Sequence, residues 1–242
     1  MSTVAIALNP DSLEHKVTLS VTGGAIERME GLKPADDDYL PDPILELVDA
    51  INHSFFGELA SASLHEKQWD ADKRTCAWQL TLTQVPWETF KILVNLFCFF
   101  EPEHIVCQSG EPGAVNLSLD RLHFPSQPQY LPFKVVVLDE KPPEQLSGIS
   151  LVFAQELSDE QAQKLISPLE NWSNLVLMGA YKEDEENEPV VIPDGVHWSD
   201  AFTLTLGFSE AFDADVAAFN AVLHHACRLV KQGHPIASIE MR

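Results

Sequence analysis

The sequence predicts an α+β protein built from two tandem ferredoxin-like units. Each would be a βαββαβ run folded into an antiparallel sheet with helices packed on one face. Three observations predict this. Apolar residues alternate at period two in several short segments and recur at three- and four-residue steps in others. The order of these two periods in residues 15–107 repeats in residues 149–241. Between the two lies a proline-rich stretch with Pro125, Pro128, Pro132, Pro142 and Pro143, the texture of a stiff connection. The expected organisation is a first unit at 1–120, a linker with an extra strand at 121–147, and a second unit at 148–242.

The first half reads as follows. Residues 3–8 and 15–22 are expected strands, the second with Val17, Leu19 and Val21 on one face and Gly23-Gly24 ending it. A helix over 42–59 has Pro43 early, where a missing amide hydrogen costs nothing, and a stripe of Ile44, Leu47, Val48, Ile51 and Phe55. Strands follow at 61–69 and at 75–83, where Cys76, Trp78, Leu80 and Leu82 alternate with polar residues. Pro86 opens a helix to residue 100 with a stripe of Trp87, Phe90, Val94 and Phe97. Short strands are expected at 105–107 and 114–119.

In the linker, the continuous apolar run 133–138 reads as a buried or edge strand. The second half then gives a strand at 149–157 and a helix at 159–172, capped by Ser158 and kinked or ended by Pro168. Strands are expected at 175–181 and 199–208, a helix at 213–232 and a strand at 236–241. Phe202, Leu204, Leu206 and Phe208 would face the core. The last helix would bury Val216, Phe219, Leu223, Ala226, Cys227 and Val230, with Gly233 as its cap and Pro235 blocking continuation.

Charge narrows the function. Fifteen Lys and Arg against 37 Asp and Glu leave a formal −22. Such a surface repels nucleic acid and anionic membranes and steers basic partners toward it. No run of about eighteen apolar residues is present, so no membrane span is expected. The opening residues have neither a basic start nor a long apolar core, so no signal peptide is expected. Cys76, Cys98, Cys107 and Cys227 sit among apolar neighbours and read as reduced core residues, which suits the cytoplasm.

Catalytic patterns do not emerge. Gly23-Gly24 lacks the rest of a phosphate-binding motif, and neither G-x-S-x-G nor H-E-x-x-H occurs. His224-His225 with Cys227 is the best metal candidate, but adjacent helical histidines point about 100° apart, so at most one joins Cys227. The favoured reading is a core cysteine beside two surface histidines, with His225 on the far face. His104 and Cys107 make a weaker pair. The sequence therefore predicts no enzyme, no metal and no cofactor.

One stretch stands apart. Residues 182–198 would form an over-long loop between two neighbouring strands. It begins with Glu183, Asp184, Glu185, Glu186 and Glu188, continues with Val190, Val191 and Ile192, and ends with His197 and Trp198. Acidic residues beside apolar and aromatic anchors suit a docking patch for a basic protein. The candidate partner-binding residues are Glu183, Asp184, Glu185, Glu186, Glu188, Val191, Ile192 and Trp198. The whole profile resembles that of immunity and antitoxin proteins, which block basic bacterial toxins or effectors without chemistry of their own. The alternative is a regulatory module that binds a small ligand between two similar halves.

Overall fold

The structure is a computed structural model. It describes residues 3–29, 42–98, 100–118, 126–138, 146–181, 193–212 and 216–241. Among these residues two sheets and four α-helices make a mixed α+β fold, and neither sheet closes into a barrel. The chain divides into two units. One comprises Met1–Asn52 with Leu59–Phe124, and the other His53–Glu58 with Pro125–Arg242.

In the first unit the elements are β1 (Thr3–Leu8), β2 (Glu14–Thr22), α1 (Pro43–Asn52), β3 (Ser61–Asp70) and β4 (Thr75–Thr83). They continue with α2 (Thr89–Cys98), β5 (His104–Ser109) and β6 (Val115–Asn116). The sheet order is β3-β4-β2-β5-β1-β6. All neighbours run antiparallel except β1 and β5, which are parallel. Alternation sets the layers. Leu19 stands opposite Trp78 and Cys107, and Val21 opposite Cys76 and Ile105, all of them buried. The reverse face is polar and stitched across strands, with Thr22 to Thr75 and His65 to Thr81 each at 2.8 Å. Near the end of β2, Gly24 takes φ +61°, and a Cβ there would come within 2.1 Å of the Phe100 carbonyl oxygen, so only glycine fits.

Helix α1 is shorter than its apolar stripe suggests. Asn52 donates to the Ala62 carbonyl and accepts from the Ala62 amide, both at 2.9 Å, which ties the helix end to the start of β3. Ser54 at φ +63° and Gly57 at φ +125° then turn the chain away from helical geometry.

In the second unit the elements are β7 (Lys134–Val137), β8 (Leu146–Phe153), α3 (Asp159–Leu177) and β9 (Pro193–Asp200). After them come β10 (Thr203–Phe212), α4 (Val216–Lys231) and β11 (Ile236–Met241). The sheet order is β7-β11-β8-β10-β9, with β7 and β11 parallel and every other pair antiparallel. Leaving β6 aside, the first sheet reads β3-β4-β2-β5-β1 and the second β9-β10-β8-β11-β7. Replacing element by element turns one order into the other. In each, the strand that opens the unit lies parallel beside the strand that closes its second helix.

Several expectations change. Residues 175–181 are not a strand: α3 runs through Pro168 to Leu177 and a turn follows, with the Ala180 amide donating to the Leu175 carbonyl at 3.0 Å. Trp172, Leu175 and Val176 are buried, and this packing carries the helix past the proline. The strand expected there is β9, so residues 193–198 are strand and not loop. The strand expected at 199–208 is two strands meeting at a hairpin. The Phe202 amide donates to Asp200 Oδ1 at 2.7 Å, an aspartate-centred turn that leaves Phe202 43% exposed and off the buried face.

The expected stripe on α4 is met in part. Leu223 and Ala226 are buried as expected, and Ala218, Ala221, Val222, His225 and Leu229 are buried beside them, whereas Phe219, Cys227 and Val230 are only half-buried. His225, expected on the far face, is 1% exposed because residues 53–58 cover that side of the helix. Residues 119–125, 139–145 and 213–215, on which parts of the linker and the start of the last helix were expected, lie outside the described residues. No helix among the described residues is long and apolar enough to cross a membrane.

Candidate functional site

The stretch singled out in the sequence leads into β9. Glu183, Asp184, Glu185, Glu186, Glu188, Val191 and Ile192 lie outside the described residues, and Trp198 is described. β9 is a terminal strand of its sheet, paired only with β10 among the described residues. Gly195, Val196, His197 and Trp198 stand opposite Gly207, Leu206, Thr205 and Leu204 without interruption. At either end the register shifts by one residue, adding Asp194 on one side and Ser199 on the other. Period two then sorts the side chains. Trp198 faces the helix layer, where its ring lies 5.6 Å from that of Phe153 and its Nε1 donates to the Ala162 carbonyl in the first turn of α3 at 3.4 Å. His197, Ser199 and Asp200 are exposed, and Gly195, Val196 and Trp198 half-buried, so no residue from 195 to 200 is buried.

Trp198 thus does two things. Its indole pins the edge strand to α3, and part of its surface remains in reach of solvent. On the other face, Thr205 Oγ1 bridges Ser199 and Ser150 at 2.8 and 3.0 Å, which links three strands in a row of hydroxyls.

In the first unit a buried polar cluster appears that the sequence reading missed. Asp42 is 2% exposed. Its Oδ1 accepts the Ile44 amide at 2.9 Å, capping α1, and its Oδ2 accepts Trp78 Nε1 at 3.4 Å. Lys67 Nζ lies 2.8 Å from the same Oδ2. Lys67 and Trp78 are opposite one another across β3 and β4, which aims both at the helix start. The signal was present as an aspartate directly before a proline-led helix, a capping position. The arrangement anchors a helix on a sheet and brings no nucleophile to an acid or base.

The thiols are equally quiet. Burial pushes the Cys76 and Cys107 thiols up to about 12, and burial also raises that of Cys227. At neutral pH these are protonated, poor nucleophiles and poor metal ligands. His224, His225 and Cys227 do not converge. His224 Nε2 lies 3.0 Å from the Ser126 carbonyl, His225 Nδ1 2.7 Å from the His53 carbonyl, and Cys227 donates to the Tyr130 carbonyl at 3.6 Å. Among the described residues no group of three His, Cys, Asp or Glu could hold a metal. His104 is exposed on β5 while Cys107 is buried, so that pair is split as well.

A crevice of about 10 Å³ opens between α1, α2 and the sheet, lined by Ile44, Leu47, Leu80, Leu82, Thr89 and Phe90 among others. That is room for about one water, and one hydroxyl is too few partners to hold it. No family model, curated protein or solved structure matches the chain.

Proposed function

We infer that the chain is an acidic protein-binding module of the immunity or antitoxin kind, which blocks a basic toxin or effector in the cytoplasm by surface complementarity. The observation that carries this reading is the placement of charge. A chain of formal charge −22 sets five carboxylates in six positions, 183–188, separated by only four residues from an edge strand whose last six residues are all accessible. The binding residues in this reading are Glu183, Asp184, Glu185, Glu186, Glu188, Val191, Ile192 and Trp198. Neither nucleic acid nor membrane is a partner, and no cofactor or catalysis is involved. Each unit is read as ferredoxin-like, which the repeated strand order supports, with unit limits near 1–120 and 148–242.

The test is to isolate the partner by affinity capture at low salt and then to measure its association kinetics. Rim charges act mainly on encounter, and screening at physiological ionic strength acts over about 8 Å. Neutralising Glu183, Asp184, Glu185 and Glu186 together should lower the on-rate at least tenfold, with a smaller change in off-rate. An acidic partner, or unchanged binding after residues 183–192 are replaced by a short neutral turn, overturns the reading.

A further inference from the structure

We propose that β9 receives its partner by strand addition: a short, extended, basic segment pairs with residues 195–198 and lengthens the second sheet from five strands to six. The proposal rests on the function inferred above and names its mode of recognition.

β9 closes one side of the sheet, so alternate residues turn backbone N–H and C=O groups outward, where among the described residues they meet no partner. Such a row is a template for another chain, and main-chain bonds supply affinity whatever the sequence. Selectivity must then come from what flanks it. The register shifts at Asp194 and Ser199 confine regular pairing to four residues, too short to recruit long apolar strands indiscriminately. Asp194 and Asp200 bracket those four residues in sequence, six positions apart, which in an extended strand is roughly 20 Å. The occupant that fits has basic residues at both ends of a short β-forming core. Trp198 and its bond to Ala162 tie the strand to α3, which lowers the ordering cost of binding there.

The counterpart strand in the first unit is less suitable. β3 is also terminal, but its register breaks in mid-strand between Leu64 and Glu66, and Lys67 there turns inward to Asp42. Those are the devices by which sheet edges avoid company.

The probe is a seven-residue peptide, Lys-Val-Thr-Val-Thr-Val-Lys, added to the full-length chain and followed by amide chemical shifts and hydrogen exchange. Protection of amides within 195–198 is expected. Two further peptides are N-methylated at alternate residues, one along each edge. One should bind at least tenfold more weakly and the other as well as the parent. Equal binding of both, shifts confined to other strands, or no binding below about 1 mM overturns strand addition while leaving the charge-based reading standing. A version with both lysines replaced by glutamate that binds as tightly as the parent overturns that reading too. Dimerisation of the free chain with β9 already protected would show that a second copy is the occupant, and would also sink the proposal.

Discussion

His225 lies flat against Phe55, with ring centroids 4.4 Å apart and planes within 4° of parallel. Phe55 in turn stacks on Trp172, at 6.2 Å and 10°. All three rings are at most 1% exposed. The His53 carbonyl can only accept, so His225 carries its proton on Nδ1 and donates across 2.7 Å. Arg228 Nη1 donates to Ser54 Oγ at 2.7 Å, and Lys231 pairs with Glu58. Six residues between α1 and β3 therefore form one wall of the second unit.

Phe55→Ala removes the middle ring of this stack. It should destabilise the protein by about 3–5 kcal/mol, the range for losing a fully buried phenylalanine. Urea denaturation followed by tryptophan emission measures it, since Trp172 is the next ring in the stack. A loss below about 0.5 kcal/mol, as for a surface change, would mean that residues 53–58 do not pack on α4 and Trp172.

Asp42→Ala should cost about 3 kcal/mol, near the lower end for breaking a buried ion pair, because the Lys67 side chain is still 21% exposed. Asp42→Asn keeps a capping oxygen for Ile44 and should cost about 1 kcal/mol less. Equal losses would indicate that the carboxylate's charge is irrelevant and only the side chain's shape matters.

The thiols make a pH prediction. Burial holds Cys76 and Cys107 protonated up to about 12, against an ordinary 9.0. Above pH 9 the unfolded chain gives up these protons first, so it binds fewer than the folded chain and stability falls with rising pH. The decline should amount to roughly 1 kcal/mol per pH unit for each thiol between roughly 9 and 12, and below pH 9 these thiols add no pH dependence. Denaturation curves at pH 8 and pH 10 would reveal it, and Cys107→Ala should flatten the decline. Aromatic disulfide reagents at pH 8 should modify Cys227 well before either buried thiol.

Thr89 presents a buried hydroxyl with no hydrogen-bond partner among the described residues, at 3% exposure, to the apolar crevice. Thr89→Val keeps the shape and removes the orphaned oxygen, so it should stabilise by about 1 kcal/mol. Destabilisation on thermal unfolding would mean that the hydroxyl has a partner after all.

How much of this was legible follows from how many faces each element buries. β4 buries one, and Cys76, Trp78, Leu80 and Leu82 announced it with the correct limits, Thr75 to Thr83. α4 is covered on two sides, so no single stripe described it, and a histidine read as solvated proved to be core. In α3 the apolar residues 175–178 looked like a strand because Pro168 suggested an earlier end. Local propensity yielded there to the burial of Trp172 and its neighbours. The strand expected at 199–208 took in the hairpin because Phe202 falls on the same parity as Leu204 and Leu206, although the Asp200-centred turn places it outside the buried face. For the candidate site, the edge position of β9 was invisible to composition. Which strand ends up last in a sheet depends on pairings between residues far apart in the chain.

The wall made by residues 53–58 also bears on how the protein comes to be folded as it is synthesised. His53 and His225 are 172 positions apart. A chain growing at roughly 5–20 residues per second would expose Phe55 for roughly 10–30 s before α4 exists to cover it. The first unit can close in that interval from its own residues, leaving a short greasy segment bare on a nascent chain. A chaperone with an appetite for exposed aromatics would find its target there, and a ribosome stalled before residue 225 would leave it uncovered.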